Sequence, residues 1–424
     1  MNNSKLKDHR QIGRELELFF FHAFAPGTIF WLPKGWTIYQ TLVDFIRKKT
    51  ENDGYQEIST PVMVKSELFK QSGHWEHFGE HNMFNLAIYE PEEIAADKVP
   101  SKEIGGVRVV DVNYSLKPMN CPEAALVYSS QIRSYSNLPL KLTEFGILHR
   151  RELSGVLGGL FRVRQFVIDD AHLFVRPDQI QTEIKRLLQL TMEVYQLLGF
   201  APRFYLATRP DKAMGDKGSW QEAEADLEKA LRAARVNFST KPKEGAFYGP
   251  KIDIHINDSQ NRDWQLATIQ LDFQIPERMK LVFVDKDGQK KRPVMIHRGI
   301  FGSLERFIGI LLEHTQGKLP FWLAPIQVIV LPVSEKNFRY ATKVSQKIRQ
   351  SNIRCEVDER SETLQAKIRD ATLQKIPYLL VVGPKEEEKQ TMAVRTREGK
   401  DEGAYKIKEF INLISPEIAK LKTL

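Results

Sequence analysis

The segment KPMNCPEAAL, residues 117–126, holds one of only two cysteines in a chain of 424 residues. Pro118 and Pro122 bracket Met119, Asn120 and Cys121, which predicts a tight bend. Free cysteines are most often small buried hydrophobes, and a constrained loop is less typical of that role. The segment alone leaves packing and ligation both open. Arginines recur beside glycines farther along. Arg150 and Glu152 close the predicted strand LPLKLTEFGILHRRE, Arg162 and Phe166 open the strand RVRQFVIDDAHLFV, and Arg306 lies in GSLERFIGI. Guanidinium forks match phosphate oxygens, so three arginines converging on one sheet face suit a triphosphate. Phe166, alternating with Arg162 and Arg164, suits stacking under a purine. Taken singly, each is more readily a surface arginine or a core phenylalanine. Neither GxxxxGK[ST] nor GxGxxG after a strand is present, which excludes the P-loop and Rossmann routes to a nucleotide.

The elements that must carry these residues fall into two patterns. Ile38, Leu42, Phe45 and Ile46 recur at helical spacing before Gly54, and GYQEISTPVM predicts a short strand ending at Pro61. The polar stretch from Glu90 to Gly106 predicts a surface insertion, near 86–113. Amphipathic helices are expected over 177–198 and 219–234. Between and after them stand the strands AFYGPKIDIHI, DWQLATIQLDF, MKLVFVD and KRPVMIHRGI. Strands in consecutive runs with helices elsewhere imply an α+β domain on an antiparallel sheet. After Pro320 the strands IQVIVLPV, RCEVDE, YLLVVG and TMAVRTRE alternate with helices around 337–350, 363–375 and 406–422, which predicts a small α/β domain with a largely parallel sheet. The expected domains are 1–320 and 321–424.

Composition is that of an ordinary globular protein, 42% hydrophobic and 27% charged. No apolar run approaches the roughly 18 residues that span a bilayer, and the first residues lack a secretory pattern. Two cysteines cannot build a disulfide framework, which makes a reducing cytoplasm the default compartment. The formal net charge is +8, of which +5 lies from Leu323 onward. A basic excess in one domain suits a polyanion, nucleic acid first, and equally a solvated lysine-rich surface.

The helix and strand before Pro61, the hairpin HRRE…GGLFRVRQF and GSLERFIGIL resemble motifs 1, 2 and 3 of the class II aminoacyl-tRNA synthetases. More narrowly, DHRQIGRELELFFF, PGTIFWLPKGWTIY, SGHWEHF, KPMNCP, RVRQF..DDAHLF, GAFYGPKID and VMIHRGIFGSLERFIGIL resemble the threonyl-tRNA synthetases, from about residue 8 to the C-terminus. The resemblance implies a threonine–tRNA ligase that forms threonyl-adenylate from threonine and ATP, then transfers it to the 3' end of its tRNA. It also implies a homodimer with no membrane association. The chain matches a short form lacking the family's amino-terminal editing domain, so serine is expected to be activated and not cleared in cis.

The resemblance further implies one Zn2+ per subunit on Cys121, His172 and His297, and Mg2+ with ATP. A three-ligand site leaves a position open for substrate. Arg150 is expected on the α-phosphate, Arg306 on the γ-phosphate, and Arg162 on the bent triphosphate and adenine side. Glu152 and Phe166 would hold adenine. Asp170 would accept the threonine hydroxyl, and Tyr248 would lie near the amino group. Lys251, Gln265 and Gln270 would form the floor, with Ser303 a further substrate contact. His74 matches the proton acceptor of the transfer step. Glu388 and Arg397 are the anticodon candidates of a C-terminal anticodon-binding domain, and Cys355 is assigned to packing. The sequence departs from the common pattern at Glu123-Ala124, at Val167-Ile168 and at Gly158 in the motif 2 loop. Zinc content and amino-acid-dependent pyrophosphate exchange separate this expectation from a prolyl or seryl ligase and from an RNA-binding paralogue without chemistry.

Overall fold

The computed structural model describes residues 6–89, 94, 98–104 and 107–419. The chain divides into two compact units. One comprises Ala23–Thr28 and Thr50–Phe307; the other comprises Met1–His22, Ile29–Lys49 and Ile308–Leu424. This division differs from the 320/321 boundary expected from the change of pattern. Part of the reason is Gly317, at φ +78°, where an added Cβ would meet Leu16 at 2.9 Å and Ile12 at 3.2 Å. The amino-terminal helix His9–Glu15 therefore packs on the segment that precedes the last domain.

The larger unit is built on eight strands: β1 (Tyr55–Glu57), β2 (Leu140–His149), β3 (Gln165–Val175), β4 (Arg203–Ala207), β5 (Phe238–Lys241), β6 (Lys251–Asn257), β7 (Asp263–Asp272) and β8 (Val294–Ser303). Their order across the sheet is β5-β4-β6-β7-β8-β3-β2-β1. All pairs are antiparallel except β1 with β2 and β4 with β5. Along β6, Ile252, Ile254 and Ile256 are fully buried and alternate with Lys251, Asp253 and His255, so one strand serves two faces. The apolar face is covered by the Ile180–Leu197 helix, which buries Ile184, Leu187, Leu188, Val194 and Tyr195 at helical spacing. Gly199 at φ +82° ends that helix, a conformation that favours glycine. The polar face is left for the site.

Several expected boundaries move. The strand expected to reach Pro61 stops at Glu57, because the Thr60 backbone N–H and hydroxyl both go to the Glu144 carboxylate, at 2.8 and 3.0 Å. The strand expected from Ala246 starts only at Lys251. Pro250 offers no N–H for a ladder, and a Cβ on Gly249 would lie 1.7 Å from the Leu271 carbonyl. MKLVFVD keeps only Phe283–Val284 as strand, since Met279 and Lys280 finish the turn of the Gln274–Arg278 helix. Within the expected insertion, Ser101–Ile104 pairs antiparallel with Val107–Val110; residues 90–93, 95–97 and 105–106 of it lie outside the described residues.

The other unit carries a five-stranded sheet of β9 (Val328–Pro332), β10 (Cys355–Val357), β11 (Tyr378–Val382), β12 (Met392–Thr396) and β13 (Asp401–Tyr405), in the order β10-β9-β11-β12-β13. It is mixed rather than largely parallel: β9 runs parallel to β10 and β11, while β12 and β13 return antiparallel. A parallel crossover needs a dozen or more residues. Only a six-residue helix, Pro384–Lys389, separates β11 from β12, and a turn at Gly399 (φ +86°) leads into β13. The helices Phe338–Arg349, Leu364–Leu373 and Ile407–Ala419 fall where the periodicity puts them. Cys355 is buried in this unit's core beside Val328 and Ile348, the packing role expected for it. Among the described residues no helix is long and apolar enough to cross a membrane.

Candidate active site and metal centre

The register of the large sheet sets His172 of β3 directly opposite His297 of β8, with ring centroids 5.0 Å apart. Cys121 arrives from the start of the Cys121–Ser129 helix, just after the Pro118 bend. The donor atoms of the three residues lie within 4.8 Å of one another, and all three residues are buried. This is the one such group among the described residues. Two observations fit it to a metal ion. His172 Nε2 is buried without a hydrogen-bond partner, a costly arrangement unless something binds there. His297 Nε2 lies 2.9 Å from Asp272 Oδ2, which leaves Nδ1 as its ligand atom and supplies the carboxylate that commonly backs a ligating histidine. Burial pushes the Cys121 thiol well above its ordinary range, with Asp170, Asp272 and Glu123 adding to the effect. Burial likewise holds His172 well below, hence neutral. A bound cation reverses the thiol's balance, since thiolate and neutral imidazole are the ligating forms.

A cavity of about 380 Å³ opens beside these donors. Cys121 and His297 line it, together with Arg150, Glu152, Arg162, Phe166, Asp170, Tyr248, Gln265, Gln270, Ser303 and Arg306. The three arginines thus share one cavity, as expected. Arg150 and Arg162 stand just beyond the strand ends rather than in the strands, since β2 stops at His149 and β3 starts at Gln165, whereas Arg306 sits in the first turn of the Leu304–Thr315 helix. The three side chains are held individually. Arg150 Nε donates to the Pro118 carbonyl at 3.3 Å, and its guanidinium lies 5.1 Å from the Phe166 ring centre. Arg306 Nε donates to the Phe161 carbonyl at 2.9 Å. Arg162, half exposed, pairs with Glu152 at 2.9 Å. Burial lowers the Arg150 and Arg306 pKa values, and the neighbouring Arg162 adds to the effect on Arg306. Such positions favour an anionic ligand.

The floor is a chain of polar contacts. Lys251 Nζ donates to Asp253 Oδ2 at 2.7 Å, and Gln265 Nε2 donates to Asp253 Oδ1 at 2.6 Å. Lys251 is therefore one residue removed from the cavity wall, acting through Asp253. The Tyr248 hydroxyl donates to the Gln270 side-chain oxygen. Asp170 accepts from Asn120 Nδ2 at 3.0 Å, and burial raises its carboxyl above the usual range. His74 is fully buried, its Nδ1 2.9 Å from Ser72 Oγ and its Nε2 without a partner. Burial, reinforced by His297, His77 and Arg278, depresses its pKa to about 3, so the ring is neutral. It packs on Phe247, behind Tyr248 rather than on the cavity wall.

The two anticodon candidates differ. Glu388 is exposed on the Pro384–Lys389 helix, whereas Arg397 is half-buried and donates Nη1 to the Leu319 carbonyl at 2.7 Å. Of the departures, Ile168 lines the cavity with an apolar side chain, and Glu123 is buried with neither carboxylate oxygen partnered. Burial raises Glu123 to about 8. Sequence reasoning did not single out Asp253 or Asp272, which orient the site without lining it. The alternation of Lys251, Asp253 and His255 along KIDIHI was the available signal for the first. Asp272 had none, because it sits at the end of β7, where its other oxygen caps the Gln274–Arg278 helix.

A predominantly antiparallel sheet bearing an arginine-rim cavity and no P-loop is the architecture of the class II aminoacyl-tRNA synthetases. Residues 108–315 match the family described as the tRNA synthetase class II core domain (G, H, P, S and T), and residues 327–417 match the anticodon binding domain. The chain is 48% identical to the threonine–tRNA ligase of Caldanaerobacter subterraneus over 419 residues, 99% of this chain and 62% of that protein. It is 47% identical to that of Alkalilimnicola ehrlichii, again with 62% of the relative covered. It thus spans somewhat less than two thirds of the curated relatives' length. Among solved structures, the RNA binding domain of threonyl-tRNA synthetase from Cryptosporidium parvum superposes with a TM-score of 0.87 at 39% identity, covering 97% of this chain and 98% of that one. A putative threonyl-tRNA synthetase from Aeropyrum pernix gives 0.79 at 26% identity, with 98% and 97% covered. The chain belongs to the threonyl-tRNA synthetase family.

Proposed function

We propose that the chain is a threonine–tRNA ligase, which couples threonine to ATP as threonyl-adenylate and passes the threonyl group to the 3' end of its tRNA. The observation that carries the proposal is that one cavity is lined both by Arg150, Arg162 and Arg306 and by the metal-donor residues Cys121 and His297. In the first step the threonine carboxylate attacks the α-phosphorus and pyrophosphate leaves. Such a transfer needs positioning and charge neutralisation more than covalent help. Arg150 serves the α-phosphate, Arg306 the γ-phosphate, and Arg162 the bent triphosphate; Mg2+ accompanies the nucleotide. Glu152 and Phe166 hold adenine, for which Arg150 must leave part of the Phe166 face.

Cys121, His172 and His297 are the residues that would hold one Zn2+, which supplies a Lewis-acid position open to an amino and hydroxyl pair. Asp170 accepts a hydrogen bond from the hydroxyl, Tyr248 faces the amino group, and Gln265, Gln270 and Ser303 complete the pocket, with Lys251 steadying Gln265 through Asp253. A site built for a hydroxyl rejects valine, the near-isostere that lacks it, far better than an apolar pocket would. His74 is the proton acceptor when a tRNA ribose hydroxyl attacks the adenylate, a role that requires its buried Nε2 to be uncovered from behind Phe247 and Tyr248 when the tRNA end enters. The catalytic and anticodon-binding domains are 1–320 and 321–424, with Glu388 and Arg397 facing anticodon bases, and the compartment is the cytoplasm. A homodimer is supported by Phe20, Phe21, Phe30 and Trp36, which are 44, 39, 40 and 47% exposed close to the motif 1 helix.

The test is ATP–pyrophosphate exchange with a panel of amino acids. Threonine supports exchange and valine does not. Exchange with proline alone would make the chain another class II ligase, and no exchange with RNA binding retained would make it a binding paralogue. Light scattering that gives a monomer at micromolar concentration would remove the dimer.

A further inference from the structure

The unit that contains the C-terminal domain has a groove of about 330 Å³ between the Phe338–Arg349 helix and the start of the Ile407–Ala419 helix. Its apolar lining is Tyr340, Val344 and Ile407, which belong to or pack on the core cluster beneath. Its cationic lining is Lys343, Lys347, Lys406 and Lys408, all exposed. None of the four ammonium groups makes a hydrogen bond or ion pair among the described residues. Other cations of this unit are paired, among them Arg360 with Asp358 and Asp370, Lys34 with Glu17, and Lys400 with Glu402. The groove also contains Glu409, whose carboxylate is occupied in accepting the Lys406 backbone N–H at 2.8 Å. Glu386 and Glu387 reach Tyr340 from the adjoining helix, Glu387 accepting from Asn337 at 3.0 Å. Four of the 19 lysines and arginines from Leu323 onward thus stand on this one groove.

We infer that this groove is a phosphate track for the RNA backbone, separate in chemistry from base reading. Lys343 and Lys347 stand four residues apart on one helix, so their stems share a face and are neighbours. Adjacent phosphates of a nucleic acid strand are spaced on the same scale. Lys406 and Lys408 form the facing wall. Four point charges without planar forks or paired hydrogen-bond acceptors neutralise phosphates and do not discriminate bases. The groove contributes affinity and register, and leaves sequence to residues elsewhere. The inference deepens the proposed tRNA ligase activity and rests on it for the identity of the RNA, not for the groove's chemistry.

The test compares the parent chain with the K343Q/K347Q/K406Q/K408Q variant, using a tRNA transcript with a threonine anticodon and a second transcript with that anticodon scrambled. Binding is measured by filter retention between about 50 and 200 mM salt, the span over which backbone contacts weaken most visibly. Each phosphate contact contributes about 0.7–0.9 to the slope of log K against log salt, so the variant's slope should be shallower by about 3 for both transcripts. The drop in affinity across that salt range should then shrink roughly 50-fold. The all-arginine variant should restore the parent slope. Threonine-dependent pyrophosphate exchange should be unchanged in every variant, since that reaction uses no RNA. An unchanged slope in the glutamine variant overturns the inference, as does a loss confined to the cognate transcript. A parent chain that binds RNA with the expected slope but shows no exchange would refute the proposed ligase activity and leave the groove standing.

Discussion

Asp272→Asn removes one charge from the wall behind the metal-donor set while preserving shape. In the parent, Asp272 Oδ2 receives the His297 Nε2–H at 2.9 Å, and Oδ1 accepts the backbone N–H groups of Gln274 and Ile275 at 2.7 and 3.0 Å. Asparagine has one acceptor to divide between them. If its oxygen keeps the two backbone donors, its amide NH2 faces His297 Nε2, which must then accept; the ring proton moves to Nδ1 and blocks the ligating lone pair. If the amide flips, two buried N–H groups lose their acceptor at about 1–3 kcal/mol each. The first arrangement is cheaper, so the cost falls on metal affinity: about 10–100-fold, the usual effect of losing a supporting carboxylate, or roughly 1.4–2.7 kcal/mol. The assay is zinc competition against a chromophoric chelator, with Cys121→Ala as the ligand-loss control and thermal unfolding of the metal-free protein as the fold control. Zinc retention within about twofold of the parent would refute the orientation argument, because the tautomer constraint would then carry no weight.

Arg306→Gln should lower the exchange rate about 10²–10³-fold, the typical loss on removing one group that stabilises developing charge; melting should change little, since among the described residues the side chain's one hydrogen bond is to the Phe161 carbonyl. A loss below about threefold would move the phosphate role elsewhere. Lys117→Ala should destabilise by about 3–5 kcal/mol, because Lys117 is fully buried 3.0 Å from Glu144, whose charge would be stranded. K117M/E144Q, in which the glutamine oxygen still accepts from Thr60, should recover most of that loss in denaturant melts, and a double variant no better than the single would count against the ion-pair account. Glu305 is buried and its pKa is raised to about 7 by burial, against 4.5 ordinarily. The folded state therefore holds its proton more tightly than the unfolded state. The associated stability is complete below about pH 4.5 and is lost as pH rises through 7. Relative to the parent, Glu305→Gln should gain stability, on the order of a few kcal/mol, between pH 5 and pH 8. Parallel melting curves across that range would exclude the buried acid.

What the sequence determined by itself was local in kind. Alternation along KIDIHI and helical spacing over 177–198 follow from which side chains must be buried, and the strand Lys251–Asn257 and the helix Ile180–Leu197 stand within those stretches. The residue types of the arginine rim and of the Cys-His-His set were legible in long motifs in order, although nothing in their spacing announced a common site. The tertiary structure decided what meets what. Cys121, His172 and His297 converge because one helix start and two antiparallel strands share a register, and register has no signature within any single strand. Asp272 and Asp253 became orienting groups only once neighbouring strands brought His297 and Gln265 to them. The mixed C-terminal sheet turned on the short Pro384–Lys389 connection, and the lysine groove on two helices far apart in the chain. Periodicity reports the face a residue occupies; the partner across that face is chosen by packing of distant segments, whose closure costs the sequence does not display.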